Sequence, residues 1–159
     1  MNTSHDNSEL KELYRDLILD HARKPRNFKR LDNATHTAQG INPLCGDKLR
    51  LYLCVDPNDR IIEVGFEGSG CAISMASASL LTETVEDLSV EDADACFGAV
   101  TGRLTQQSTD IAAPRNVDLT KLKALDGVRE HPSRIKCATL AWHALHAALD
   151  PSQSIATTE

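Results

Sequence analysis

Residues 49–67 constrain the fold more than any other stretch, because their pattern suits one secondary structure. Leu49, Leu51, Leu53 and Val55 alternate with Arg50, Tyr52 and Cys54, while Ile62, Val64 and Phe66 alternate with Glu63, Gly65 and Glu67. A period of two puts each apolar set on one face of a strand. Asp56-Pro57-Asn58-Asp59, between the runs, has turn chemistry. The segment is therefore an antiparallel hairpin with one face offered to a core. A weaker signal over residues 34–39 predicts a third strand beside it.

The remaining pattern is helical. Leu10, Leu13, Tyr14, Leu17 and Ile18 recur at helical spacing between Glu9 and Lys24, and Pro25 stops that helix. His21, in its last turn, complements the dipole or packs against a neighbour. A second helix is expected from Ala72 to Glu86. Its first half is small throughout (Ser74, Ala76, Ser77, Ala78, Ser79), which suits close backbone approach. A third runs from Val90 to about Thr101 and contains Cys96. Residues 105–116 are polar, carry Pro114 and read as a loop, and a short helix from Leu119 to Leu125 ends at Gly127. The last helix follows Pro132, from Ser133 to Leu149, with Ala138, Trp142, Leu145 and Leu149 as its buried stripe. The expected fold is α+β: a small antiparallel three-stranded sheet packed on one side by about five helices. At 159 residues and 41% apolar content the chain suits a single domain, 1–159, ordered from about 9 to 150 between flexible tails.

A formal charge of −6 weighs against nucleic acid or an anionic membrane as partner. No apolar run reaches spanning length, and the polar start Met1-Asn2-Thr3-Ser4 is no secretory signal. A cytoplasmic address with reduced thiols is expected, and five cysteines fit a disulfide framework poorly.

Three of those cysteines stand at element boundaries: Cys45 in Asn42-Pro43-Leu44-Cys45-Gly46-Asp47, Cys71 in Gly68-Ser69-Gly70-Cys71, and Cys137 in Arg134-Ile135-Lys136-Cys137. With Asp47 they make a soft, four-coordinate donor set of the kind that suits zinc or iron–sulfur chemistry. Hairpin geometry supports convergence, because the start of the first strand lies beside the end of the second. Cys45 and Asp47 precede the first strand, and Cys71 follows the second. Cys137 joins them if the last helix lies against the sheet or the small-residue helix. Helix N-termini, with Lys136 and Arg134 near Cys137, favour thiolate over thiol. The alternative, that free cysteines are simply core residues, fits Cys54 and Cys96 but not the three beside Gly, Asp or Lys.

The blocks 42–47, 68–79 and 132–142 resemble the U-type iron–sulfur cluster assembly proteins, the IscU and NifU N-terminal family. The likeness begins at Leu13-Tyr14, includes His21 and Pro25-Arg26-Asn27, and extends nearly to Leu149. Lys136, where the housekeeping scaffold branch has histidine, and an extended linker from about Gly98 to Val128 resemble the SufU-like, SUF-system branch. The resemblance implies an IscU-like fold and a zinc ion held by Cys45, Asp47, Cys71 and Cys137. It implies a zinc-dependent sulfurtransferase whose Cys45 accepts persulfide sulfur from a SufS-type cysteine desulfurase, for downstream SufBCD-type assembly proteins. The alternative is a scaffold that builds and transfers a [2Fe–2S] cluster, with iron at the same ligands. A purely structural zinc protein is a third reading. Lys136 is a candidate to assist, through Asp47 or the transferred sulfur, and Arg134 a candidate partner contact; each is otherwise a solvated charge. His143 and His146 are expected to face solvent or pack as a pair.

Overall fold

The structure, a computed structural model, describes residues 3–105, 114, 117–150 and 155–158. Helix α1 (Thr3–Arg23) leads into β1 (His36–Asn42), β2 (Asp47–Val55) and β3 (Ile61–Ser69). Helices α2 (Ala72–Val85) and α3 (Val90–Leu104), a 3-10 helix (Thr120–Glu130), α4 (Pro132–Leu149) and β4 (Ile155–Thr157) follow. None of the described helices is long and apolar enough to cross a membrane. Most of the polar stretch expected as a loop, residues 105–116, lies outside the described residues, as do residues 1–2, 151–154 and 159 of the expected tails.

The α+β expectation holds, with one more strand than expected. The sheet order is β3-β2-β1-β4, antiparallel except for β4, which pairs parallel to β1 through Gln39↔Ile155 to Ile41↔Thr157. Those three residues were expected in a flexible tail. Three positions are too few to show an alternation, and what orders them is the open edge of β1 beside the end of α4, a tertiary circumstance. At the other terminus α1 begins at Thr3 rather than near Glu9. The 3-10 helix likewise continues past Gly127 to Glu130.

The hairpin pairs as expected, Leu51 opposite Phe66 and Leu53 opposite Val64, but its alternation breaks at one end. The register shifts between Cys54↔Glu63 and Val55↔Ile61, leaving Ile62 as the extra residue of a bulge. Ile61 consequently turns inward and Ile62 is 52% exposed, the reverse of what period two predicts. The outer face of β2 is not solvated either. Tyr52 and Cys54 are buried there beneath Leu31 and Ala34.

The main core lies between the inner face of the sheet, with Leu49, Leu51, Leu53, Val64 and Phe66, and helices α2 and α4. The small residues of α2 are all buried, as close packing requires. Ser77 fastens this helix to α4: its hydroxyl donates to the Ala138 carbonyl at 2.5 Å and accepts from Trp142 Nε1 at 3.1 Å. Helix α4 carries more than a stripe. Residues from Cys137 to Trp142 and Ala144, Leu145, Ala147 and Ala148 are buried, because α2, α3, the 3-10 helix and the sheet surround it. His21 is packed rather than exposed. It lies buried between α1 and α2, sharing a 2.7 Å hydrogen bond with Ser79 Oγ, and burial lowers its pKa.

Candidate metal centre

A tight turn carries the first thiol. Asn42, the last residue of β1, faces Asp47, the first of β2, and Pro43 to Gly46 cross between them. The Gly46 N–H closes the turn on the Asn42 carbonyl at 2.9 Å. Gly46 has φ +73° with open space where a side chain would stand, so its conformation, not crowding, calls for glycine. Cys45 is exposed on this turn, and Leu44 beside it is 71% exposed.

The second approach comes from β3. Lys48 pairs with Ser69, so the chain leaving β3 passes directly over the start of β2. Gly68, at φ +143°, lies so close to β2 that a Cβ would stand 2.3 Å from the Lys48 carbonyl oxygen. A Cβ on Gly70 would meet Asp47 Oδ1 at 2.8 Å. Absence of side chains thus lets Asp47, 1% exposed, accept the Cys71 backbone N–H on Oδ1 at 2.9 Å. Cys71 caps α2, its sulfur accepting the Ser74 N–H at 3.5 Å and standing 3.8 Å from Asp47 Oδ2.

Helix α4 supplies the third thiol from above. Cys137 Sγ, buried, is 3.7 Å from Cys45 Sγ, and donor atoms of Cys45, Asp47 and Cys137 all lie within 4.8 Å of one another. Cys71 adjoins this trio through Asp47, so the four side chains singled out in the sequence meet in one place. The helix-terminus expectation for Cys137 is not met. Burial, reinforced by Asp47 and the neighbouring thiols, pushes its thiol far above the ordinary value of 9.0.

The donor set fits a tetrahedral cation in chemistry, and Cys45, Asp47 and Cys137 fit it in spacing, whereas Cys71 stands outside that mutual 4.8 Å group. A zinc–sulfur distance of about 2.3 Å places tetrahedral sulfur neighbours about 3.8 Å apart, and Cys45 and Cys137 are separated by 3.7 Å. Beside the cluster, the buried Asn42 Oδ1 has no hydrogen-bond partner among the described residues. Asn42 is the functional candidate that sequence reasoning missed. Its only signal was its place at the head of the 42–47 block, while its contact with Cys137 across the fold has no sequence signature.

The remaining candidates stand apart. Lys136 is half-buried, and among the described residues no hydrogen bond or ion pair joins it to Asp47. Arg134 is exposed and borders a cavity of about 670 Å³ between α1 and the 3-10 helix, with Lys11, Arg15 and Lys123 also on its rim. His143 and His146 pack on Phe97, and His146 pairs with Asp94 at 2.6 Å. Cys54 and Cys96 are buried core residues, and burial raises the Cys96 thiol to about 11.

The chain has relatives in sequence and in structure. The zinc-dependent sulfurtransferase SufU of Bacillus subtilis is 40% identical over 139 residues, 87% of this chain and 90% of that protein. The iron–sulfur cluster assembly scaffold protein IscU of Streptococcus pyogenes is 37% identical over 145 residues, 91% and 87% of the two chains. Among solved structures, the putative iron–sulfur cluster assembly scaffold protein for the SUF system from Fervidobacterium islandicum superposes with a TM-score of 0.73 at 28% identity. It covers 85% of this chain and 95% of its own. The NifU-like N terminal domain model matches residues 13–97, a span that includes three of the four clustered side chains. With the fold, the cluster and these matches in agreement, the chain belongs to the NifU-like N-terminal domain family of iron–sulfur cluster assembly proteins.

Proposed function

We propose that this protein is a zinc-dependent sulfur acceptor in iron–sulfur cluster assembly, with Cys45 as the thiol that takes up persulfide sulfur from a SufS-type cysteine desulfurase. The observation that carries this reading is the asymmetry of the cluster. Cys137 is buried within α4, and Cys71, though exposed, is anchored as the N-cap of α2 by the Ser74 N–H, whereas Cys45 is exposed on a turn between two strands without such an anchor. Cys45, Asp47, Cys71 and Cys137 would hold the zinc, which when bound stabilises thiolates at neutral pH. A thiolate on Cys45 attacks the outer sulfur of the partner's persulfide. A sulfur–sulfur bond forms on Cys45, the partner's bond breaks, and its cysteine leaves as thiolate. Asp47 is the hard member of the set, fixed in place by the Cys71 N–H. Lys136, which precedes Cys137 in sequence, would be the assisting cation, and Arg134, exposed beside the cavity between α1 and the 3-10 helix, the partner contact. The sulfur then passes to SufBCD-type assembly proteins in the cytoplasm.

Elemental analysis of protein purified without added metal should give stoichiometric zinc, and the purified protein should accelerate a SufS-type desulfurase. Cys45→Ala should abolish the acceleration; wild-type stimulation by that variant sinks the acceptor assignment. The scaffold reading, favoured by the identity to proteins named as scaffolds, makes a different forecast. Anaerobic reconstitution with iron and sulfide would yield a [2Fe–2S] cluster that transfers to an apo-ferredoxin.

A further inference from the structure

The three thiols of the cluster differ in what donates to them. Cys71 Sγ accepts the Ser74 backbone N–H, and Cys137 Sγ accepts Asn42 Nδ2 at 3.8 Å. Among the described residues no N–H donates to Cys45, whose sulfur lies 3.7 Å from the Cys137 thiol. Asn42 itself is fully buried, and its other amide atom, Oδ1, has no partner among the described residues. A buried amide with an unsatisfied oxygen and a bond to a neutral thiol, a weak acceptor, is a poor stabiliser of the fold. The same N–H against a thiolate is a charge-assisted bond of roughly twice the strength.

We infer that Asn42 is a positioning residue for the metal centre: its Nδ2–H holds the Cys137 thiolate as a fixed ligand and draws charge from that sulfur, leaving Cys45 the thiol that keeps its full electron density. This rests on the metal-site reading above. Hydrogen bonds to metal-bound sulfur lower its nucleophilicity by withdrawing charge, so an arrangement with donors on two sulfurs and none on the third directs chemistry to the third. The Asn42 backbone serves a separate purpose, closing the turn through its carbonyl to Gly46, which substitution of the side chain leaves in place.

The test uses the full-length chain with cobalt(II) as the metal probe, in wild type, Asn42→Ala and Asn42→Val; valine keeps most of the volume in case the alanine variant packs badly. Loss of an outer partner of a metal ligand weakens binding by about 10–100-fold, and cobalt affinity, measured by chelator competition, should fall by that factor. The sulfur-to-cobalt charge-transfer band should move to lower energy, because the sulfur regains the charge the amide withdrew. Melting of the chelator-treated protein should hold or rise, since truncation removes an unpartnered buried oxygen. Unchanged affinity and band position in both variants overturn the inference. So does a loss of affinity that follows a lower melting temperature without any band shift, which is what a merely structural Asn42 would give. A wild-type protein that binds no cobalt sinks the metal-site reading itself, and that outcome is distinct from the other two.

Discussion

Replacing Ser77 by alanine tests how the two helices that carry Cys71 and Cys137 are held together. Ser77 and Trp142 are both fully buried, and the serine hydroxyl is the partner of the indole N–H and of the Ala138 carbonyl. Removing it strands the indole N–H, at about 1–3 kcal/mol, and loses a second hydrogen bond worth about 0.5–1.5 kcal/mol net. The better helix propensity of alanine returns about 0.5 kcal/mol. A net loss of about 1–4 kcal/mol follows from these terms. Urea denaturation of chelator-treated protein measures it, provided the m-value is unchanged. Trp142→Phe removes the N–H that Ser77→Ala would strand, so the double variant should be more stable than the two single losses predict, by about 1–2 kcal/mol. Losses that add to within about 0.5 kcal/mol would show that the pair does not interact, and a Ser77→Ala cost below about 0.5 kcal/mol would refute the reasoning altogether.

Other substitutions probe the remaining supports. Gly68→Ala puts a Cβ against the Lys48 carbonyl at a φ that side chains avoid, and should cost at least about 2 kcal/mol in a thermal or urea melt; a neutral result would mean β2 and β3 are not so closely apposed. Burial lowers the His21 pKa below its ordinary 6.5, so the unfolded chain takes up the proton first. Its contribution to stability is complete above 6.5 and lost as pH falls through the folded-state value. The melting temperature should drop between pH 7.5 and 5.5, and His21→Gln should flatten that slope; an unaltered slope refutes the assignment. Cys96, buried with its thiol raised to about 11, should resist iodoacetamide at pH 8 in native chelator-treated protein while Cys45 is alkylated, as peptide mass mapping will show.

Much of the hairpin and of the helical frame was legible because periodicity is a local property. Leu49 to Val55 announced a strand, and the small residues of α2 announced close packing. The meeting of Cys45, Asp47 and Cys71 followed from that local reading, since antiparallel pairing fixes which chain ends are neighbours. Elsewhere the pattern fell short for physical reasons. The bulge at Ile62 shifts one residue out of register, and nothing in an alternating string reveals it. Strand β4 exists because β1 leaves an edge open, and α4 is buried almost all round because four neighbours surround it.

Sequence alone determined the donor types, their order and the sheet end where three of the four meet. Tertiary structure decided the rest. It brought Cys137 to 3.7 Å from Cys45, set Asn42 beside Cys137, and buried a thiol that its helical position suggested would ionise. The reason is that a sequence specifies each side chain's chemistry and nearest chain neighbours, whereas desolvation and contact across 95 positions depend on how α4 packs over the sheet.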